Sequence, residues 1–187
     1  MSEIGLNIRF NVFISHASED MLLVDKFAEV LGWNNINPLV AEYSQEPGLL
    51  LWKDKIKRLI NQSHFFVVLY TYNAQNKPKV HQEIGSAGIG TKRIILLLES
   101  GINQNTLPGY LEAIEVIQDL STFDPSGVFT NTTHWLLKAK YPAWRNINQF
   151  YGLDANLGKI LFKFDDISNA WNRYRLDSKS GNWILMQ

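Results

Sequence analysis

The stretch KPKVHQEIGSAGIGTKR, residues 77 to 93, sets one carboxylate, Glu83, between a proline that can open a helix and a run rich in glycine. Two chemistries compete for it: a loop that cradles phosphate, or a helix that carries an acid. Gly85 and Gly90 have the outer spacing of a phosphate-binding loop. Such a loop, however, needs Gly-Lys-Ser/Thr, so that the lysine reaches the phosphates and the hydroxyl a magnesium ion, and it must join a strand to the helix it opens. Here the order is Gly90-Thr91-Lys92, and the apolar run Ile94 to Leu98 that follows reads as a strand. Gly88 and Gly90 are therefore expected to end a helix, where glycine takes the left-handed conformation at little cost. The acid has to be explained by what surrounds it.

The elements around it are written as short apolar runs alternating with helical ones, the pattern of a parallel sheet with crossover helices. RFNVFIS at 9 to 15, NPLVA at 37 to 41, HFFVVLY at 64 to 70, RIILLLE at 93 to 99 and IEVIQ at 114 to 118 read as five strands. HFFVVLY is apolar almost throughout, as a central strand buried on both faces should be. Between the strands, Ser18 offers a helix cap before Met21, Val24, Phe27, Ala28 and Leu31, and Trp52, Ile56, Leu59 and Ile60 form a second apolar stripe. Pro78 suits the first turn of a third helix that holds Glu83 in its second turn. The expected fold is a five-stranded doubly wound α/β domain that ends near residue 120 or takes in one more helix up to about residue 140; with that helix it spans residues 1–142. A small, β-rich extension over 143–187 is expected to pack on it, because KILFKF at 159 to 164 and AWNRYRLDSKSGNWILMQ alternate like strands around a Ser-Gly turn. In that tail Trp171, Arg173 and Arg175 share one face, and Tyr174 and Leu176 are expected to point from the other into the core.

The bulk properties narrow the function. A chain of 187 residues, 45% hydrophobic, can bury one good core. Eighteen basic residues balance eighteen acidic ones, so a general nucleic-acid binder is not expected, although a local patch is compatible with the numbers. Without cysteine there is no disulfide framework, thiolate chemistry or thiolate-bound metal. MSEIGLNIRF lacks the features of a secretory signal, and no apolar run approaches the ~18 residues that span a bilayer. A cytoplasmic protein without a membrane anchor is expected.

In open parallel sheets ligands bind beyond the carboxyl ends of the strands. The first strand ends in Ser15-His16, the second near Glu42 and the third in Tyr70-Thr71. A phosphate-accepting receiver domain would need acids after its first strand and an aspartate after its third; a dinucleotide-binding domain would need glycines where this chain has SHASED. Four separated stretches instead agree with one family. NVFISHASED, Glu42 followed by PGLLLW, IKRLINQSHFFVVLY and HQEIGSA resemble, in order and spacing, Toll/interleukin-1 receptor (TIR) domains, especially bacterial and archaeal ones, over the first two thirds of the chain.

The resemblance implies a flavodoxin-like fold with EYSQEPGLL as the loop after the second strand, and it implies that Glu83 matches the catalytic glutamate of TIR domains that cleave NAD+ at the nicotinamide glycosidic bond. Phe13, Ser15, His16, Glu42, Tyr43, Pro47, Gly48 and Lys79 are the implied substrate contacts, with NAD+ as substrate and neither cofactor nor metal. Lys79 stands four positions before Glu83, where many NAD+-cleaving relatives carry an aromatic ring; stacking on nicotinamide would then fall to Tyr43, Tyr70 or Tyr72. The chain also resembles short prokaryotic TIR proteins of antiphage systems such as Thoeris. This likeness implies self-association through TIR contacts and an ADP-ribose or cyclic ADP-ribose type of signal for a separate effector. The alternative is a TIR domain that acts only as a protein-interaction scaffold.

Overall fold

The computed structural model describes residues 10–43, 52–89, 93–108, 111, 115–141 and 148–186. The five apolar runs become β1 (Phe10–Ser15), β2 (Ile36–Leu39), β3 (Phe65–Tyr70), β4 (Arg93–Glu99) and β5 (Glu115–Leu120), paired in parallel in the order β2-β1-β3-β4-β5. Every residue of β3 is buried, which is why its sequence carries no alternation. Helices α1 (Met21–Trp33), α2 (Trp52–Gln62) and α3 (Pro78–Ile89) connect the strands. Phe13, Phe66, Val68 and Leu96 on one sheet face meet Ile56 and Ile60 of α2 and Val80 and Ile84 of α3 in one core. Residues of the opposite parity, Val12, Ile14, Val67 and Ile95, are buried as well, so both faces are covered.

Ser18 does not cap α1 directly. Ser18–Asp20 forms a 3-10 turn, and α1 starts one residue later. Gly88 lies within the last turn of α3 and is not among the described glycines with positive φ, so the expected left-handed ending does not fall on it. Gly90 lies outside the described residues.

The chain divides into two compact units, residues 1–122 and 123–187. Helix α4 (Ser126–Lys140) lies in the second unit with the C-terminal strands. Those strands are β6 (Gln149–Asp154), β7 (Gly158–Asp165), β8 (Ala170–Leu176) and β9 (Trp183–Leu185), a four-stranded antiparallel sheet in chain order. Thr130 of α4 accepts the Leu153 N–H at 2.9 Å, and His134 stacks on Phe150 with ring centroids 5.0 Å apart. Gly152 makes this approach possible: a Cβ there would meet Thr130 Cγ2 and Phe162 Cε2 at 2.7 Å. α4 therefore covers the sheet face that holds Phe150 and Trp171, and the His134 and Trp171 rings meet edge to face at 5.6 Å. The expectation that Tyr174 and Leu176 point into a core is corrected, since the helix took the other face and Leu176 is 52% exposed.

A candidate carboxylate site over the end of β1

On α3 the residues Val80, Glu83, Ile84 and Ala87 follow the i, i+3, i+4, i+7 rhythm of one helix face. Val80, Ile84 and Ala87 join the core, and Glu83 goes with them: the residue is 4% exposed. An acid on a core stripe is rare unless something receives it. Ser15, one step beyond Phe13 on the same face of β1, donates its hydroxyl to Glu83 Oε2 at 2.5 Å and is itself fully buried. Burial pushes the Glu83 carboxyl up from 4.5 to about 7, and the charge of Glu42 adds to this; the Ser15 hydrogen bond and the Lys79 ammonium pull the other way without cancelling it. The acid is thus poised to change charge near neutral pH.

Between α2 and α3 a cleft of about 350 Å³ opens beside it, lined by Lys53, Ile56, Lys79, Gln82, Glu83, Gly85 and Ser86. Lys79 stands one turn before Glu83, and its ammonium donates to Glu42 Oε1 at 2.5 Å. Burial alone would raise the Glu42 carboxyl, but the Lys79 hydrogen bond and nearby positive charge outweigh it and hold it below its usual value. The other oxygen, Oε2, has no hydrogen-bond partner and stands 3.5 Å from His16 Nε2. Burial keeps the His16 imidazole below its ordinary pKa despite that carboxylate, and its Nδ1 lies 3.3 Å from the Ile14 carbonyl.

Ser15, His16, Glu42, Lys79 and Glu83 are therefore brought together, from the end of β1, the segment after β2 and the start of α3. Phe13 is not: it is fully buried and stacked on Phe66 at 5.2 Å, a core residue. Tyr43 is 46% exposed and donates its hydroxyl to Asp25 of α1. Pro47 and Gly48 lie outside the described residues. The expected stacking partners do not line the cleft either. Tyr70 is buried edge-on to His81, and Tyr72 lines a second cleft with Asp20 and Glu99. The Trp52 side chain is not among those described.

One buried acid is not evident from the sequence. Asp20, 6% exposed, accepts from the Thr71 hydroxyl at 2.5 Å and the Asn73 amide at 2.7 Å. It ties the segment after β1, which begins next to Ser15, to the segment after β3. Its signal is the polar pair Thr71 and Asn73 just past the most apolar strand. Among the described residues no group of three or more His, Asp or Glu is placed to hold a metal, and no helix is long and apolar enough to cross a membrane.

A buried acid held by a serine at the switch point of a 2-1-3-4-5 parallel sheet defines a flavodoxin-like α/β protein with a carboxylate site. Residues 12–128, more than half of the chain, match the family model of the TIR domain, and the chain belongs to that family, which includes NAD+-cleaving enzymes and scaffolds. No curated protein matches it.

Lys79 tests the electrostatics directly. Replacing it with Met removes the cation that favours the ionised form of Glu83, so the Glu83 midpoint should move upward from about 7. A ¹³C NMR titration of the Glu83 carboxyl reads this, and an unchanged midpoint would show that Lys79 does not act on the acid.

Proposed function

We propose that this protein cleaves the bond between nicotinamide and ribose in NAD+, with Glu83 as the catalytic carboxylate. The observation that carries the reading is the buried Glu83 side chain, fixed by Ser15 and opening on a cleft. Nicotinamide leaves as a neutral molecule from a positively charged pyridinium, so the leaving group needs no acid. What remains is a ribosyl centre with oxocarbenium character, as in glycoside cleavage. An anionic carboxylate facing that centre stabilises the transition state more than the ground state, and the low-dielectric surroundings that raise its pKa also strengthen the attraction. Ser15 holds the carboxylate in position, which removes the reorganisation a free side chain would undergo.

Lys79 would repel a pyridinium if its charge stood alone. Its ion pair with Glu42 offsets that charge, so the pair presents little net field to an entering cation. Ser15, His16, Glu42 and Lys79 frame the nicotinamide riboside half of the substrate. The product is an ADP-ribose or cyclic ADP-ribose type of molecule, read by a separate effector in prokaryotic antiphage defence. The lysine in place of an aromatic ring, with none of Tyr43, Tyr70 and Tyr72 in the cleft, favours one second reading, a TIR module that binds other TIR domains without catalysis.

Purified protein incubated with NAD+ separates the two. Nicotinamide release per milligram should rise with protein concentration, because TIR contacts between copies complete the site. Release that stays at the level of a protein-free blank across that range supports the scaffold reading; a monomer whose specific activity is independent of concentration removes self-association from the account.

A further inference from the structure

The net charge of zero divides unevenly. Residues 1–122 carry ten Lys and Arg against thirteen Asp and Glu, a net of −3, while residues 123–187 carry eight against five, a net of +3, and contain no glutamate. The balance that argued against a polyanion partner for the whole chain does not hold for its second unit.

The register of the antiparallel sheet sorts its side chains. Tyr151, Leu161 and Tyr174 form one cross-strand row, and Lys159 and Lys163, on either side of Leu161 along β7, share that face. It is the face opposite the one on which α4 lies. Trp183 pairs with Leu176 and so joins the same side, where its ring reaches to 5.8 Å from Tyr151. Rings that begin three strands apart can meet only if the sheet curls, which makes this face concave, with buried Leu161 as its floor. The three rings are half-buried, and Leu185, on the same face, is 51% exposed. Lys159 sits 4.0 Å over the Tyr151 ring and Lys163 5.4 Å from that of Tyr174. Asp165, the carboxylate of matching parity, stands at the turn, where it accepts from the Ile167 N–H and the Ser168 hydroxyl.

We propose that this concave face binds single-stranded nucleic acid. Bases have π faces that stack on Tyr151, Tyr174 and Trp183, and phosphates draw the Lys159 and Lys163 ammonium groups off the rings they now cover. An acidic peptide would use the lysines and leave the rings idle, and a duplex hides its base faces; a single strand uses both features. The proposal stands apart from the reading of the Glu83 cleft.

Fluorescence anisotropy of fluorescein-labelled 20-nucleotide oligo(dT) and oligo(U), titrated with the full chain between 20 and 200 mM salt, tests it. Binding should weaken as salt rises, and the double variant Lys159→Gln, Lys163→Gln should bind about tenfold more weakly at low salt. Its log–log salt slope should be shallower by about 1.4, since each phosphate left without its lysine removes about 0.7. Trp183→Leu should bind about tenfold more weakly with its salt slope unchanged, as removal of a stacked base predicts. Nicotinamide release should be the same in both variants. No binding at 20 mM salt overturns the proposal, as does equal binding by the lysine variant, whose half-buried positions accept the shorter neutral side chain and whose fold is checked by circular dichroism. Displacement by polyglutamate or duplex DNA as readily as by unlabelled oligonucleotide also overturns it, since the face would then read charge alone.

Discussion

Glu83→Gln is expected to lower the turnover of NAD+ about a hundredfold or more while leaving KM within a few-fold. Glutamine keeps the shape of the side chain and an oxygen that accepts the Ser15 hydroxyl, so the cleft and its hold on the ribose survive. What goes is the negative charge, which acts only as the oxocarbenium character develops. One such electrostatic interaction supplies about 3 kcal/mol, or two orders of magnitude in rate. A loss in kcat with KM preserved is the signature of an interaction made in the transition state, whereas a loss confined to KM would make Glu83 a binding group. Steady-state nicotinamide release over a range of NAD+ concentrations gives both constants.

The same substitution should stabilise the protein at alkaline pH. The Glu83 pKa is raised in the folded state, from 4.5 to about 7, so between these values the native protein keeps a proton that the unfolded chain has released. Stability therefore falls as pH rises through this window, and above it the penalty is complete at about 3 kcal/mol. Glutamine carries no such penalty. Glu83→Gln and the parent should melt together near pH 4.5 and draw apart by several degrees at pH 8, with the variant the more stable. Thermal unfolding followed by circular dichroism at the two pH values measures the difference; a gap that does not grow with pH would mean that Glu83 is not strained by its burial. A site that weakens the fold it occupies is expected where an acid is held for chemistry.

The sheet is legible in the sequence because its strands are buried on both faces, and a run such as FFVVLY leaves no other element to propose. The third helix is legible from Pro78 and from the apolar rhythm that carries Glu83. The same rhythm already implies that the acid points inward, beside Val80 and Ile84. Its serine partner is legible only as a residue at a strand end, since the bond joins positions 15 and 83. The second unit is harder to read. QFYGLD at β6 does not stand out as a strand because Gly152 interrupts its alternation, and that glycine is there to let α4 approach. Which face of β8 the helix covers depends on that approach, a tertiary fact with no trace in the alternation of AWNRYRL. The placement of Phe13 and the tyrosines away from the cleft is not legible for a similar reason: proximity to a site in sequence does not say which way a ring turns.

Whether the Glu83 carboxylate performs the cleavage is decided by chromatographic assay of nicotinamide released from NAD+ at pH 8, above the raised Glu83 pKa, by wild-type protein and Glu83→Gln side by side at matched high concentration. The wild type should release nicotinamide and the variant about a hundredfold less. Equal release by two equally folded proteins, or none from the wild type at any concentration, would contradict a catalytic role for Glu83.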